Sequence, residues 1–286
     1  MKDAKNKPLV SIITPVYNGA AFIEQLILSV KSQDYPNIEH IIIDDGSQDD
    51  EATVSILRRY PHLRWWSHKN QGQYATMNEG LKKAKGDYLC FICADDFMQE
   101  HAIRQAIDWL INHPGFDGVY GLAAFITENG DPYPVRYPFR RAPLSYYPYF
   151  SQLSHCSLYI SRQILLDNNL LFDPEIQLIS DYEWILRMQN AGIRIGFIDS
   201  TLSTYRIHKN QLSSQNSTLM AIEHRDIANR YGYGGIRYFF FMLILHILNF
   251  TEKLRVAFKE NKFAGVRDVV HEWVSKRITP RFKNKL

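Results

Sequence analysis

Apolar and polar positions alternate on two periods along the first 113 residues. LVSIIT (9–14) is apolar throughout, while AAFIEQLILSVKSQ (20–33) carries its apolar residues at helical spacing. The alternation then repeats. EHIIID (39–44) reads as strand, EATVSILRRY (51–60) as helix, and LRWWSH (63–68) as strand. QYATMNEGLKKAK (73–85) reads as a helix closed by Gly86, DYLCFIC (87–93) as strand, and MQEHAIRQAIDWLINH (98–113) as helix with Pro114 beyond it. Strands that are apolar on both faces and joined by helices predict a parallel sheet covered on both sides, a doubly wound α/β half.

Beyond residue 115 the pattern changes. GVYGLAAFIT and the segment after ENGD read as a hairpin, since a Gly-containing polar turn joins two β-rich runs. A proline- and tyrosine-rich stretch follows (DPYPVRYPFRRAPLSYYPYF). A strand at SLYIS, a helix over 181–191 and two strands in IRIGFID and STYRI come next, and the chain from about 217 onward reads as helical. The expected division is a catalytic domain over 1–216 and a helical, basic region over 217–286.

Composition narrows the function classes. Net charge is only +3, with 45% hydrophobic and 22% charged residues. Residues 251–286 hold ten Lys/Arg against four Asp/Glu, and the first 250 hold 23 against 26. A slightly acidic body with a basic tail argues against a nucleic-acid binder and suits a tail that meets an anionic surface. The apolar run IRYFFFMLILHILNF (236–250) is shorter than the roughly 20 residues a membrane span needs. It suits a core helix, a dimer contact in a homo-oligomer, or an in-plane helix at a membrane. No signal-peptide pattern opens the chain, and three cysteines (Cys90, Cys93, Cys156) are too few for a disulfide framework. A cytoplasmic protein, or one at the inner face of the cytoplasmic membrane, is the expectation. Cys90 and Cys93 lie three apart on an expected strand, facing opposite ways, and read as buried filler rather than a metal pair.

The candidate chemistry lies where strands end. In an open parallel sheet, ligands bind at the carboxyl ends of the strands. Those ends carry Thr14-Pro15-Val16-Tyr17-Asn18, Asp44-Asp45, His68-Lys69-Asn70-Gln71-Gly72 and Asp95-Asp96. Clustered carboxylates call for protonation or a cation. These loops hold no matching lysine cluster, and oxygen ligands select hard ions, Mg2+ or Mn2+, which bridge carboxylates to phosphate oxygens. Neither a G-x-x-x-x-G-K-[ST] loop nor a G-x-G-x-x-G after the first strand is present. A metal-assisted phosphate or diphosphate site is the reading from the residues alone.

TPVYN, IIIDDGSQDD, NQGQYATMNEGLKKAKGDYLCFICADD, SDYEWILRMQNAG and YRIHKNQLSS, in this order, resemble the family 2 glycosyltransferases of the GT-A fold over residues 8 to 215. The resemblance implies a mixed α/β GT-A sheet flanked by helices and an inverting transfer of sugar from a nucleotide-diphosphate donor, with a UDP-sugar favoured. The acceptor would be a hydroxyl of a glycan, a lipid-linked molecule or a protein, in cell-surface polysaccharide or lipopolysaccharide assembly. By position, Thr14 and Tyr17 would line the base pocket, and Asp45, with Asp44 behind it, would hydrogen-bond the base. Asp95 would lie near the ribose, Asp96 on the metal-bridged diphosphate, and Asp181 would be the catalytic base. Many family members have another Asp where this chain has Cys93, and often a glutamate where it has Ser180.

Further candidates are His208 as a metal ligand, Asn78 with the nucleotide, and Gln73, His155 and Arg206 near donor or acceptor. Each has a plainer reading: Asp45 and Asp181 as caps, His155 and Arg206 as structural groups, Asn78 and Gln73 as loop holders. Two competing functions are a catalytically inactive family member acting as a partner subunit, and a receiver-like phosphoacceptor domain. The latter would be about half this length and would leave Asp181 idle.

Overall fold

Residues 7–133, 147–150 and 153–233, with Gly235 and Phe240, are described in a computed structural model. The apolar runs of the first half become the parallel strands β1 (Val10–Val16), β2 (Ile38–Asp44), β3 (Arg64–Ser67) and β4 (Tyr88–Phe91), in the order β3-β2-β1-β4. Every residue of β1 is buried, because the sheet is covered on both faces. On one face Ile12 and Ile42 join the apolar stripes of α1 (Ile23–Lys31) and the later α4 (Ala102–Asn112). On the other, α3 (Gln73–Lys83) comes close enough that a Cβ on Gly80 would stand 2.5 Å from Ile13 Cγ2. Each fully buried Ile or Leu here contributes about 1.5–3 kcal/mol. Between β2 and β3 runs α2 (Ala52–Arg58).

The second half is mixed. After β4 come the edge strand β5 (Phe97–Met98), α4, β6 (Gly118–Thr127), α5 (Tyr147–Phe150), a 3-10 turn His155–Ser157, β7 (Leu158–Ser161) and α6 (Arg162–Asp167). α7 (Ser180–Asn190), β8 (Ile195–Ile207), α8 (Leu212–Gln215) and α9 (Ser217–Arg230) follow. Among the described residues the strands make one eight-stranded sheet, β3-β2-β1-β4-β7-β6-β8-β5. β7 lies antiparallel to both β4 and β6, β8 is parallel to β6, and β5 is antiparallel to β8. The mixed α/β expectation holds.

One local reading changes. The two strands expected in 193–207 are one, β8. Its polar Asp199-Ser200-Thr201 looks like a turn but sits where the register against β6 shifts, between Tyr120 and Ala123. Gly121 permits this, since a Cβ there would stand 2.6 Å from the Ser200 carbonyl. The expected hairpin after β6 keeps its turn, with an isolated antiparallel bridge between Ile126 and Pro132; most of the proline- and tyrosine-rich stretch lies outside the described residues. The compact unit that holds the sheet runs to Gly232 and includes α9. The apolar run 236–250, apart from Phe240, and the basic tail also lie outside the described residues.

Candidate active site

At the end of β2 two adjacent carboxylates are turned to backbone donors. Asp44 Oδ1 accepts the Ser47 N–H at 3.1 Å. Asp45 accepts the Gln71 N–H at 2.8 Å and the Gly72 N–H at 3.0 Å, one on each oxygen, and ties the loop after β3 to β2. Both are buried. Gly46 between these loops is obligatory twice over: its φ is +74°, and a Cβ would stand 2.8 Å from Asn70 N and 2.9 Å from His68 O. Tyr17, at the end of β1, is 47% exposed and presents an open ring beside this edge. Thr14 lies within the sheet. It is wholly buried in β1 with its hydroxyl 3.5 Å from His40 Nε2, because strand alternation turns it into the sheet. His40 is itself sealed in, and burial depresses its pKa to about 3.

The pair after β4 divides differently. Asp96 is 1% exposed and faces inward: Oδ1 accepts the Arg206 N–H at 3.0 Å and Oδ2 the Cys156 thiol at 3.1 Å. Burial, then Cys156 and the charge of Asp95, push its pKa well above the ordinary carboxylate range. Asp95 faces the other way, its side chain a quarter exposed, with Oδ2 3.1 Å from His208 Nε2 and 3.3 Å from Gln211 Nε2. A diphosphate-bridging ion needs an accessible oxygen, and of the pair it is Asp95 whose carboxylate is open to the sheet edge while that of Asp96 is sealed. Arg206 is not open to a donor or acceptor. It is buried, donating to the Asp95 carbonyl (3.1 Å), the Glu128 carbonyl (3.1 Å) and Gln25 Oε1 (2.5 Å), with its guanidinium 4.7 Å from the Phe22 ring centroid.

The third acid starts α7. Asp181 Oδ2 lies 2.8 Å from His155 Nδ1, and Oδ1 lies 3.1 Å from the Tyr74 hydroxyl, which also reaches the Leu178 carbonyl at 2.8 Å. Its side chain is a quarter exposed. Burial pushes Asp181 upward, but the His155 charge and hydrogen bonds from His155, Tyr74 and the Tyr182 N–H outweigh it and hold the carboxyl below its usual range. Burial opposes charge on His155, yet Cys156 and Asp181 raise it well above the ordinary imidazole range. The acid rides on a rigid support: Trp184, wholly buried in α7, packs edge to face with Phe91 and tilted against Phe172, and donates to the Leu170 carbonyl at 2.8 Å.

Gln73 reaches Cys93 Sγ (3.6 Å) at the mouth of the same cluster. Asn78 is buried, and both ends of its amide pair with the Phe172 backbone (2.9 and 2.8 Å) and so pin the segment before α7 to α3. Four contributors were not singled out from the sequence: Tyr74, Gln211, Cys156 and Glu223. Glu223 of α9 accepts the N–H groups of Gln177 (2.7 Å), Leu178 (3.0 Å) and Ile179 (3.3 Å), and holds the loop that leads into Asp181. The position of Tyr74 next to Gln73 at a helix start was the one readable signal among them.

Fold and site make this a mixed α/β protein with its polar groups gathered at one edge of a curled sheet, the GT-A architecture. The chain belongs to glycosyl transferase family 2, whose model matches residues 11–175. A Bacillus subtilis relative named "Putative teichuronic acid biosynthesis glycosyltransferase TuaG" is 29% identical over 219 residues, covering 73% of this chain and 82% of the relative. Three uncharacterised glycosyltransferases, from Rickettsia felis, Rickettsia conorii and Haemophilus influenzae, match at 31%, 31% and 40% identity, and the chain spans 36%, 38% and 45% of their length. The fold is shared with Staphylococcus aureus TarS 1–349 in complex with UDP-GlcNAc (TM-score 0.61, 20% identity, 75% of this chain and 65% of that one). It is shared equally with the Pyrobaculum calidifontis mannosyltransferase PcManGT in complex with GDP-Man and Mn2+ (TM-score 0.61, 20% identity, 82% and 67%).

Proposed function

We propose that the chain transfers a sugar from a nucleoside-diphosphate donor, a UDP-sugar, to an acceptor hydroxyl with inversion, in the assembly of a cell-surface polysaccharide. The observation that carries this reading is the separation of two differently built acids on one sheet edge. Asp95 is paired with an imidazole that could share a cation with it, and Asp181 is held ionised by His155 and Tyr74. The complexes of the fold-mates with UDP-GlcNAc and with GDP-Man and Mn2+ support the donor class, and the name of TuaG supports the setting.

The residues fit a divalent ion. The Asp95 carboxylate and the His208 ring nitrogen converge within 3.1 Å, an oxygen–nitrogen set that accepts Mn2+ or Mg2+ with the diphosphate completing the shell. Such an ion supplies Lewis-acid charge to the leaving diphosphate. The chain's own part is positional and basic. Asp181 takes the proton of the acceptor hydroxyl as its oxygen forms the bond to the anomeric carbon and the bond to the diphosphate oxygen breaks. His155 fixes the direction of the accepting carboxylate, while the exposed Tyr17 ring offers a face to the base. Asp45 shapes the loop around that base through Gln71 and Gly72.

The test is UDP release from a panel of UDP-sugars with Mn2+ and candidate glycan acceptors. Asp181→Asn should lower turnover by about 10²–10⁴ with little change in donor affinity. Equal turnover in the variant would remove Asp181 as the base.

A further inference from the structure

Beside Asp181 lies a cluster whose two thiols and imidazole Nε2 the transfer reaction does not use, with Cys93 Sγ within 4.8 Å of an Asp95 carboxylate oxygen. Cys93 Sγ is 3.6 Å and Cys156 Sγ 3.3 Å from His155 Nε2, and the three ligand atoms all lie within 4.8 Å of one another. We propose that Cys93, Cys156 and His155 form a binding site for a thiophilic divalent ion, Zn2+.

Three observations carry it. The first is spacing. An ion bound tetrahedrally by sulfur at about 2.3 Å and nitrogen at about 2.05 Å sets the two donors about 3.6 Å apart. The two sulfur–nitrogen separations here are 3.3 and 3.6 Å, close to that value, and the sulfurs lie within 4.8 Å of each other. The second is the outer partner. His155 turns Nδ1 to the Asp181 carboxylate at 2.8 Å and leaves Nε2 facing the sulfurs, the carboxylate–histidine–metal arrangement that fixes the ring and raises its basicity. The third is chemistry. Two sulfurs and one imidazole prefer zinc to Mg2+ or Mn2+, whereas Asp95 and His208 offer the harder set. His155 and Cys156 are buried, and Cys93, partly exposed, opens the approach.

The three protein ligands leave a fourth position, and Asp96 Oδ2, 3.1 Å from Cys156 Sγ, borders it. Binding deprotonates both thiols and displaces the proton from His155 Nε2, and these protons leave to solvent. The reading of Cys93 as filler therefore changes: the strand period separates it from Cys90, but the chain fold brings Cys156 to it from 63 positions away. The site does not depend on the transferase reading.

The test is titration of the reduced, metal-free full chain with Co2+ and then with Zn2+ against a chromophoric chelator. The proposal expects one equivalent of Co2+ with intense sulfur-to-cobalt charge-transfer absorption and tetrahedral visible bands, bleached by one equivalent of Zn2+. Cys156→Ser should remove the charge-transfer bands and weaken Zn2+ by about 100-fold or more, and Cys93→Ser should do the same without disturbing a fully buried position. Cys90→Ala and Asp95→Asn should keep both. Circular dichroism on every variant separates ligand loss from unfolding. Weak octahedral bands alone, or Zn2+ affinity unchanged in folded Cys93→Ser, would overturn the site and leave the cluster as thiol–imidazole hydrogen bonds.

Discussion

The chain ends two central strands with the same dipeptide, and the two Asp-Asp pairs are built for opposite purposes. After β2, both carboxylates are buried and each serves backbone N–H groups, Asp44 at Ser47 and Asp45 at Gln71 and Gly72. After β4, one is sealed beneath the sheet edge by Arg206 and Cys156, and its neighbour looks out toward His208. Doubled acid is thus one motif with two uses. In the first pair it organises loops; in the second it splits support from chemistry between adjacent residues. The difference comes from what packs behind each pair. Backbone donors of nearby loops surround the first, whereas a strand and a turn 60 or more residues away close over Asp96.

Substitutions can break this contrast. The largest effect is expected at Asp95: Asp95→Asn should cut transfer by about 10²–10³, the loss typical of a removed transition-state contact, and leave stability within about 0.5 kcal/mol. Turnover and a denaturant melt on the same preparation read both. Asp96→Ala should do the reverse, costing about 1–3 kcal/mol of stability because the buried Arg206 N–H loses its acceptor, while Asp96→Asn, which keeps an oxygen there, should cost less.

Acid sharpens the β2 side. His40, beneath Thr14, has a folded pKa of about 3 against about 6.5 unfolded. Between those values the unfolded chain binds a proton that the folded chain refuses. Stability from this group is therefore full above pH 6.5 and falls by about 1.4 kcal/mol per pH unit on acidification. Urea melts at pH 7 and pH 5 should show the difference, and His40→Gln should flatten that part of the slope. The smallest expected effect is Asp45→Asn, which keeps one acceptor and loses the other; about 1 kcal/mol, with weaker nucleotide affinity, is the expectation from a melt and a UDP titration.

Much of this was legible beforehand, and the failures share a cause. The parallel half followed from apolar runs such as Ile41–Ile43, which only a strand covered on both faces can bury. The gathering of acids at strand ends followed from topology, and Asp181 at the start of α7 from its motif. The direction of each side chain did not follow. Asp95 and Asp96 are identical in type, and only distant Cys156 and Arg206 decide which turns in. Asn78, Thr14 and Arg206 looked like donor contacts because they are polar and near the edge, yet each is consumed by a partner within the fold: the Phe172 backbone, His40, and the carbonyls of Asp95 and Glu128. Glu223 lay beyond the expected domain end, so nothing local connected it to the loop before Asp181.

The central claim is that Asp95, and not Asp96, meets the metal-bound diphosphate. A thermal-shift measurement with UDP, with and without Mn2+, on the unsubstituted chain, Asp95→Asn and Asp96→Asn tests it most directly. At about 100 times Kd, UDP should stabilise the unsubstituted chain by roughly 2.7 kcal/mol. The account predicts that this shift requires Mn2+, survives in Asp96→Asn and disappears in Asp95→Asn. A shift that persists in Asp95→Asn and is lost in folded Asp96→Asn would contradict it.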